Sequence, residues 1–176
     1  GEIVAAYDAR EQALVAYIAC GDVFMTLTTS ALLALNLRQQ GRLQQSVEIC
    51  ERQVQYANKN GVSQTTVAGT LLAIWGEVLA ELNDLDGALQ RVNQGVGITE
   101  RGLDVATLAC SYLCQVRVLL SRSNVNGAAE VIKKMRTLTE KRELPLMLRN
   151  LMSSWCARVW LAQGKLPLLS KWDQQQ

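Results

Sequence analysis

Histidine is missing from all 176 residues. That removes the side chain used most often as a general base and metal ligand near neutral pH. Phenylalanine occurs once, at Phe24, and proline twice, at Pro145 and Pro167, so little in the chain interrupts a helical backbone. Turn-bounded segments of alternating apolar and polar residues, the pattern of half-buried strands, are also lacking. No apolar run approaches the ~18 residues of a membrane span, and the N-terminus lacks the basic, apolar and small-residue layout of a secretory leader. Charge of one sign is scarce too. Eighteen basic residues against sixteen acidic ones leave +2, too weak a bias to predict contact with nucleic acid or a membrane surface.

What is present is helix-forming. The chain is 49% hydrophobic, enough for a continuous core without covalent staples. Its long runs are rich in Ala, Leu, Gln, Glu and Arg, which favour helix. The cysteines, Cys20, Cys50, Cys110, Cys114 and Cys156, sit in such runs, and their odd number implies reduced thiols and a cytoplasmic setting. The expected class is all-α.

One phrase recurs. "RQQGRLQQSV", "ELNDLDGAL", "SRSNVNGAA" and "AQGKLPLLS" share an apolar anchor, Leu43, Leu85, Val125 and Leu166, about every 41 residues, and Ile3 extends the series backwards. A fixed period of this length marks a stacked array. Each period holds two helices. Leu72, Trp75, Leu79 and Leu82 fall at helical spacing before one turn, and Leu85, Ala88, Leu89, Val92 and Val96 after it. Asn83-Asp84 stops the first helix and caps the second. Asp104 opens the next helix, Asn124 caps the one after, Gly102 is expected to end a helix, and Pro145 and Pro167 stand at helix starts.

Small residues flank each turn: Ser46, Ala88 and Ala128 after the anchor, and Ala34, Gly76 and Ala157 before it. Antiparallel helices approach closely only where side chains at the crossing are small. Val116 and Leu169 break the rule, which predicts looser or shifted packing there. This pairing of small residues resembles the tetratricopeptide repeat, with Gly76, Leu79, Ala88 and Val92 on its packing positions. The unit here is longer, about 41 residues against roughly 34. The resemblance implies a right-handed superhelix of antiparallel helix pairs. The expected organisation is one helical-repeat domain over 1–176: a half-repeat at 1–20, repeats at about 22–61, 62–102 and 103–144, and a truncated one at 145–176. Half-units at both ends predict a segment of a longer protein, with apolar ends able to self-associate.

"ELNDLDGALQRVNQGVGITERG" and "CARVWLAQGKLPLLSKW" resemble the helical repeat region of MalT-like, ATP-dependent LuxR-family transcriptional regulators. The resemblance implies a parent with a nucleotide-switch module before this region and a DNA-binding helix-turn-helix after it. It implies a repeat region that receives an inducer or a regulatory protein. The chain itself has no phosphate-binding loop, since Gly164-Lys165 is followed by Leu166. A general scaffold for protein assembly is the alternative reading of the same repeats.

Catalytic and cofactor chemistry is not expected. Cys110 and Cys114 lie one turn apart without a second ligand pair, so buried helix residues explain them better than a metal. The basic run "KKMRTLTEKRE" spreads Lys133, Lys134, Arg136, Lys141 and Arg142 around a helix with Glu140 and Glu143 interspersed, and no aromatic residue interleaves to stack bases. A solvated outer helix accounts for it. Trp75 and Trp160 read as core, Trp155 as a candidate pocket wall, and Trp172 as packing on a further neighbour.

The candidate site follows from helix geometry. The residue eight before each anchor should face the inner groove: Leu35, Glu77, Arg117 and Arg158, with Arg38, Ala80, Leu120 and Leu161 one turn on. Arginine forks suit a carboxylate or phosphate. The expected ligand is therefore a small anionic inducer or an acidic peptide, with Arg117 and Arg158 as principal donors and Leu120 and Leu161 in the floor. The competing expectation is that Glu77 and Arg117 pair across adjacent repeats and only brace the stack.

Overall fold

The recurring phrase is a helix stop followed at once by a helix start, with a capping side chain between them in two of the four copies. The computed structural model describes residues 2–141 and 144–173, leaving aside the side chains of 2–4, 141, 170, 171 and 173. The expectations for the Ile3 side chain, Lys141, Arg142, Glu143 and the last three residues lie outside the described residues. Those described form nine helices and no strand: α1 (Glu2–Cys20), α2 (Val23–Gln39), α3 (Leu43–Lys59), α4 (Thr66–Glu81), α5 (Leu85–Thr99), α6 (Val105–Ser121), α7 (Val125–Lys141), α8 (Leu146–Ala162) and α9 (Leu166–Asp173). The four anchors are the first residues of α3, α5, α7 and α9.

Two residues before each anchor the backbone turns left-handed, at Gly41 (φ 73°), Asn83 (64°), Ser123 (57°) and Gly164 (69°). The turn at Asn83 satisfies the helix end by two bonds. Asn83 N–H donates to Ala80 C=O (3.1 Å) and Asp84 N–H to Leu79 C=O (2.9 Å). The Asp84 carboxylate then accepts the Gly87 N–H (3.0 Å), and Asn124 accepts that of Gly127 (2.9 Å). Asp104 caps α6 in the same way, through Ala106 (3.0 Å). Gly102 does not end α5. That helix stops at Thr99, and Gly102 lies beyond it without a positive φ. Its lack of a side chain serves packing instead, because a Cβ there would collide with Thr66 Cγ2.

Each helix packs on the next, and the first helices α2, α4, α6 and α8 also touch in series. The backbones of the second helices α3, α5, α7 and α9 do not approach one another among the described residues, although Lys134 of α7 reaches Glu100 at the end of α5 (3.3 Å). α4 is therefore the central element. From Val67 to Val78 only Thr70 escapes full burial, and a helix apolar on nearly all sides belongs inside a stack. The tightest approach is α4 on α5. A Cβ on Gly76 would lie 2.7 Å from Ala88 O and 2.8 Å from Val92 N, and one on Gly95 would strike the Gly69 carbonyl. Ser46, at the position of Ala88, is buried and donates its hydroxyl to Ala34 C=O across α2 and α3 (2.8 Å). Val116 is fully buried and Leu169 half-buried. Trp75 is core, whereas Trp160 is half-buried. Trp172 turns back on α8, its indole N–H bonding Ser153 Oγ (2.6 Å). The architecture is the all-α superhelix of antiparallel helix pairs that the sequence predicts.

Candidate functional site

Glu77 stands one turn before the C-terminal end of α4, on the side facing the other first helices, and is only 2% exposed. An isolated buried carboxylate is prohibitively costly, so its partners decide whether it is tolerable. It has two. Arg38 reaches it from α2 at 2.9 Å, and Arg117 reaches the same oxygen from α6 at closer range. Three successive helix pairs are thus joined through one side chain. Arg38 also contacts Glu81 one turn further on (2.5 Å). Burial opposes the Arg38 charge, and Glu77 and Glu81 outweigh it, raising the guanidinium pKa above its ordinary value.

The pairing leaves hydrogen-bonding capacity unused. The Nε atoms of Arg38 and Arg117 and Oε2 of Glu77 are buried without a protein partner. All three residues line a cavity of about 310 Å³, completed by Ala80, Glu81, Leu120, Ser121 and Trp155. Trp155 carries the site onto α8. The guanidinium carbon of Arg117 lies 4.9 Å from its ring centre and that of Arg158 4.7 Å, both within cation–π range.

Arg38, Glu77, Ala80, Arg117 and Leu120 therefore lie around one cavity. Arg158 is exposed and reaches the site only through Trp155, and Leu161, at 61% exposure, lines no part of the cavity. Leu35 packs against the core instead of facing the cavity. Glu81 and Ser121, both four before an anchor, were not singled out by the sequence. Extending the predicted face by i+4 as well as i+3 reaches both.

Two of the nearby thiols are chemically quiet. Burial pushes Cys110 up to about 11 and Cys114 well above the usual thiol range, with Glu77 adding to both. Among the described residues, no three of His, Cys, Asp and Glu converge as metal ligands. No helix among them is long and apolar enough to cross a membrane. What the arrangement brings together is paired and half-used polar groups beside an indole.

A family model described as "MalT-like TPR region" matches residues 1–176. No curated protein matches the sequence. Two solved structures of a Podosopora anserina protein, described as a kinesin light chain with nearly identical TPR-like repeats, are similar in fold. One is 18% identical with a TM-score of 0.66, and the other, a single-substitution form of the same protein, is 19% identical with a TM-score of 0.68. Each alignment covers 99% of this chain and 85% of the other. At that identity the likeness extends to the fold alone.

Proposed function

Because this chain belongs to the MalT-like TPR region family and is a helical-repeat interaction domain, we propose that it is the signal-receiving segment of a cytoplasmic LuxR-type transcription regulator. ATP binding and DNA binding would reside in other parts of that parent. The observation that carries this reading is the cavity around Glu77, where α2, α4, α6 and α8 each supply a polar or aromatic wall. A ligand held there touches three or four helix pairs at once, which is what a sensor needs to bias the shape of a stack.

The charges refine the ligand. Arg38 and Arg117 are matched by Glu77 and Glu81, while Arg158 has no carboxylate partner among the described residues. A small molecule with one anionic group suits this balance, its anion directed by Arg158 and its remaining polar atoms meeting the part-exposed ends of Arg38, Arg117 and Glu81. An acidic peptide in the same groove is the variant that the scaffold reading favours.

A thermal-shift screen of small carboxylates and phosphate esters tests it, since a ligand binding only the folded state raises apparent stability. A hit should lose about tenfold or more in affinity in Arg158→Ala and Arg117→Ala by isothermal titration, and little in Leu161→Ala. It should also alter DNA binding by the full-length regulator. Affinity indifferent to both arginine substitutions would remove the cavity from the account.

A further inference from the structure

The second place of interest lies at the junction of α7 and α8, away from Glu77. There a slot of about 150 Å³ has Ala129, Ile132, Val159 and Trp160 as floor and wall, and Lys133, Arg136, Lys165 and Gln163 at its edge. Ile132 and Val159 are buried, and the cations of α7 are exposed.

Two comparisons within the molecule set this slot apart. The first is charge. Arg38, Arg117, Arg122 and Lys134 each reach a carboxylate of a neighbouring helix pair: Glu77, Glu77, Asp86 and Glu100. Lys133, Arg136 and Lys165 form no such pair among the described residues; other exposed cations such as Arg52 and Lys59 are unpaired too, but these three gather at one slot that no described carboxylate lines. The nearest acids on the same helix, Glu130 and Glu140, pair with none of them. The second comparison is shape. Counting from the anchors, Lys133, Arg136 and Lys165 occupy the places of Asn93, Val96 and Asn124 at the α5–α6 junction. Val96 is buried there and fills the gap, and Asn93 accepts a hydrogen bond from Gln115 (3.0 Å). With Arg136 in place of valine, the α7–α8 junction stays open and its apolar floor can be reached.

We propose that this slot docks an acidic segment of a partner protein, one apolar side chain seated on Ile132 and Val159 and flanking carboxylates held by Lys133, Arg136 and Lys165. The size selects this occupant. Small-molecule pockets commonly run from about 300 Å³ upward, whereas a slot half that size holds a single side chain. Three cations without a carboxylate partner among the described residues favour acid on both sides of it.

Titration of the 15N-labelled chain with the capped peptide Glu-Asp-Leu-Asp-Glu tests the proposal. The expected result is saturable movement of the Trp160 indole N–H and of the Lys133, Arg136 and Gln163 amides. The Kd should rise about tenfold or more in Arg136→Glu/Lys165→Glu, and by a similar factor when glycine replaces the central leucine. The control Arg52→Glu/Lys59→Glu, with the same net charge change on exposed α3 sites, should bind as the wild type does. Absence of shifts up to millimolar peptide would overturn the proposal, as would equal loss in the control pair. A poly-dT strand of about ten nucleotides moving the same resonances at lower concentration would overturn it in favour of nucleic acid. None of these outcomes touches the Glu77 cavity, so the two readings stand or fall separately.

Discussion

Two glycines in adjacent helices have opposite fates. Gly76 meets backbone of α5 at 2.7–2.8 Å where a Cβ would stand, while Gly97 has nothing within 4 Å. Gly76→Ala should therefore destabilise the fold by about 1–3 kcal/mol, and Gly97→Ala should stabilise it by about 0.5–1 kcal/mol through helix propensity. Urea unfolding of the two variants checks both signs. Charge divides in the same way. Glu77→Ala leaves two part-buried guanidiniums facing each other and should cost about 3 kcal/mol. Arg122→Ala removes a pair whose acid, Asp86, is 95% exposed, and should change stability by less than about 1 kcal/mol. The thiols add a pH effect. Burial raises Cys50, Cys110, Cys114 and Cys156, Cys110 to about 11. The unfolded chain then loses these protons first, at about pH 8.5. Their contribution is intact below that value and falls away as pH rises towards the folded-state values. Iodoacetamide at pH 8 should label Cys20, which is exposed, well before the other four. At this scale the sequence was partly legible. Glu77 and Arg117 stand at the same place in adjacent repeats, so their pairing could be foreseen. That Arg38 shares the same carboxylate oxygen could not, because its position in the repeat differs and only the offset of α2 against α4 brings it there.

The elements are punctuated by left-handed residues, and two of them are not glycine. Asn83 and Ser123 have φ of 64° and 57°, a region where a Cβ is disfavoured. Ser123→Gly should gain about 0.5–1 kcal/mol and Gly41→Ala should lose about 1 kcal/mol, each measurable as a change in urea midpoint with an unchanged slope. Helix starts were the most readable feature of the sequence, since a left-handed residue and an apolar anchor recur together, joined by a capping side chain at Asp84 and Asn124. The end of α5 was not. Gly102 looks like a terminator, but the helix ends at Thr99, whose hydroxyl bonds back to Gly95 and Val96 carbonyls. A glycine needed for space against Thr66 and one needed for φ are indistinguishable in one sequence. Leu161 misled for a related reason. Its spacing places it one turn beyond Arg158, but the cavity closes at Trp155 and does not follow α8 that far.

Over the whole molecule, burial is greatest in α4 and declines towards both ends, where Val15, Ile18, Leu161 and Leu166 are largely exposed. In a stack stabilised by nearest neighbours, local opening follows that gradient. Amide exchange should be slowest in α4 and α5 and fastest in α1 and α9, and Glu77→Ala should accelerate α2 and α6 more than α9. The period made this architecture legible before any contact was known, whereas the separate characters of its junctions emerged only from side chains meeting across them. One consequence follows from α3, α5 and α7 each being seated between two first helices while their backbones stay clear of one another. The inner row sets the pitch of the array, so it behaves as a fan whose ribs are held along the pivot, riveted near Glu77, and tied only by light links such as Lys134–Glu100 towards the rim. Loosening that rivet changes the spread of every rib at once, and a small event at the pivot becomes a large displacement at the edge.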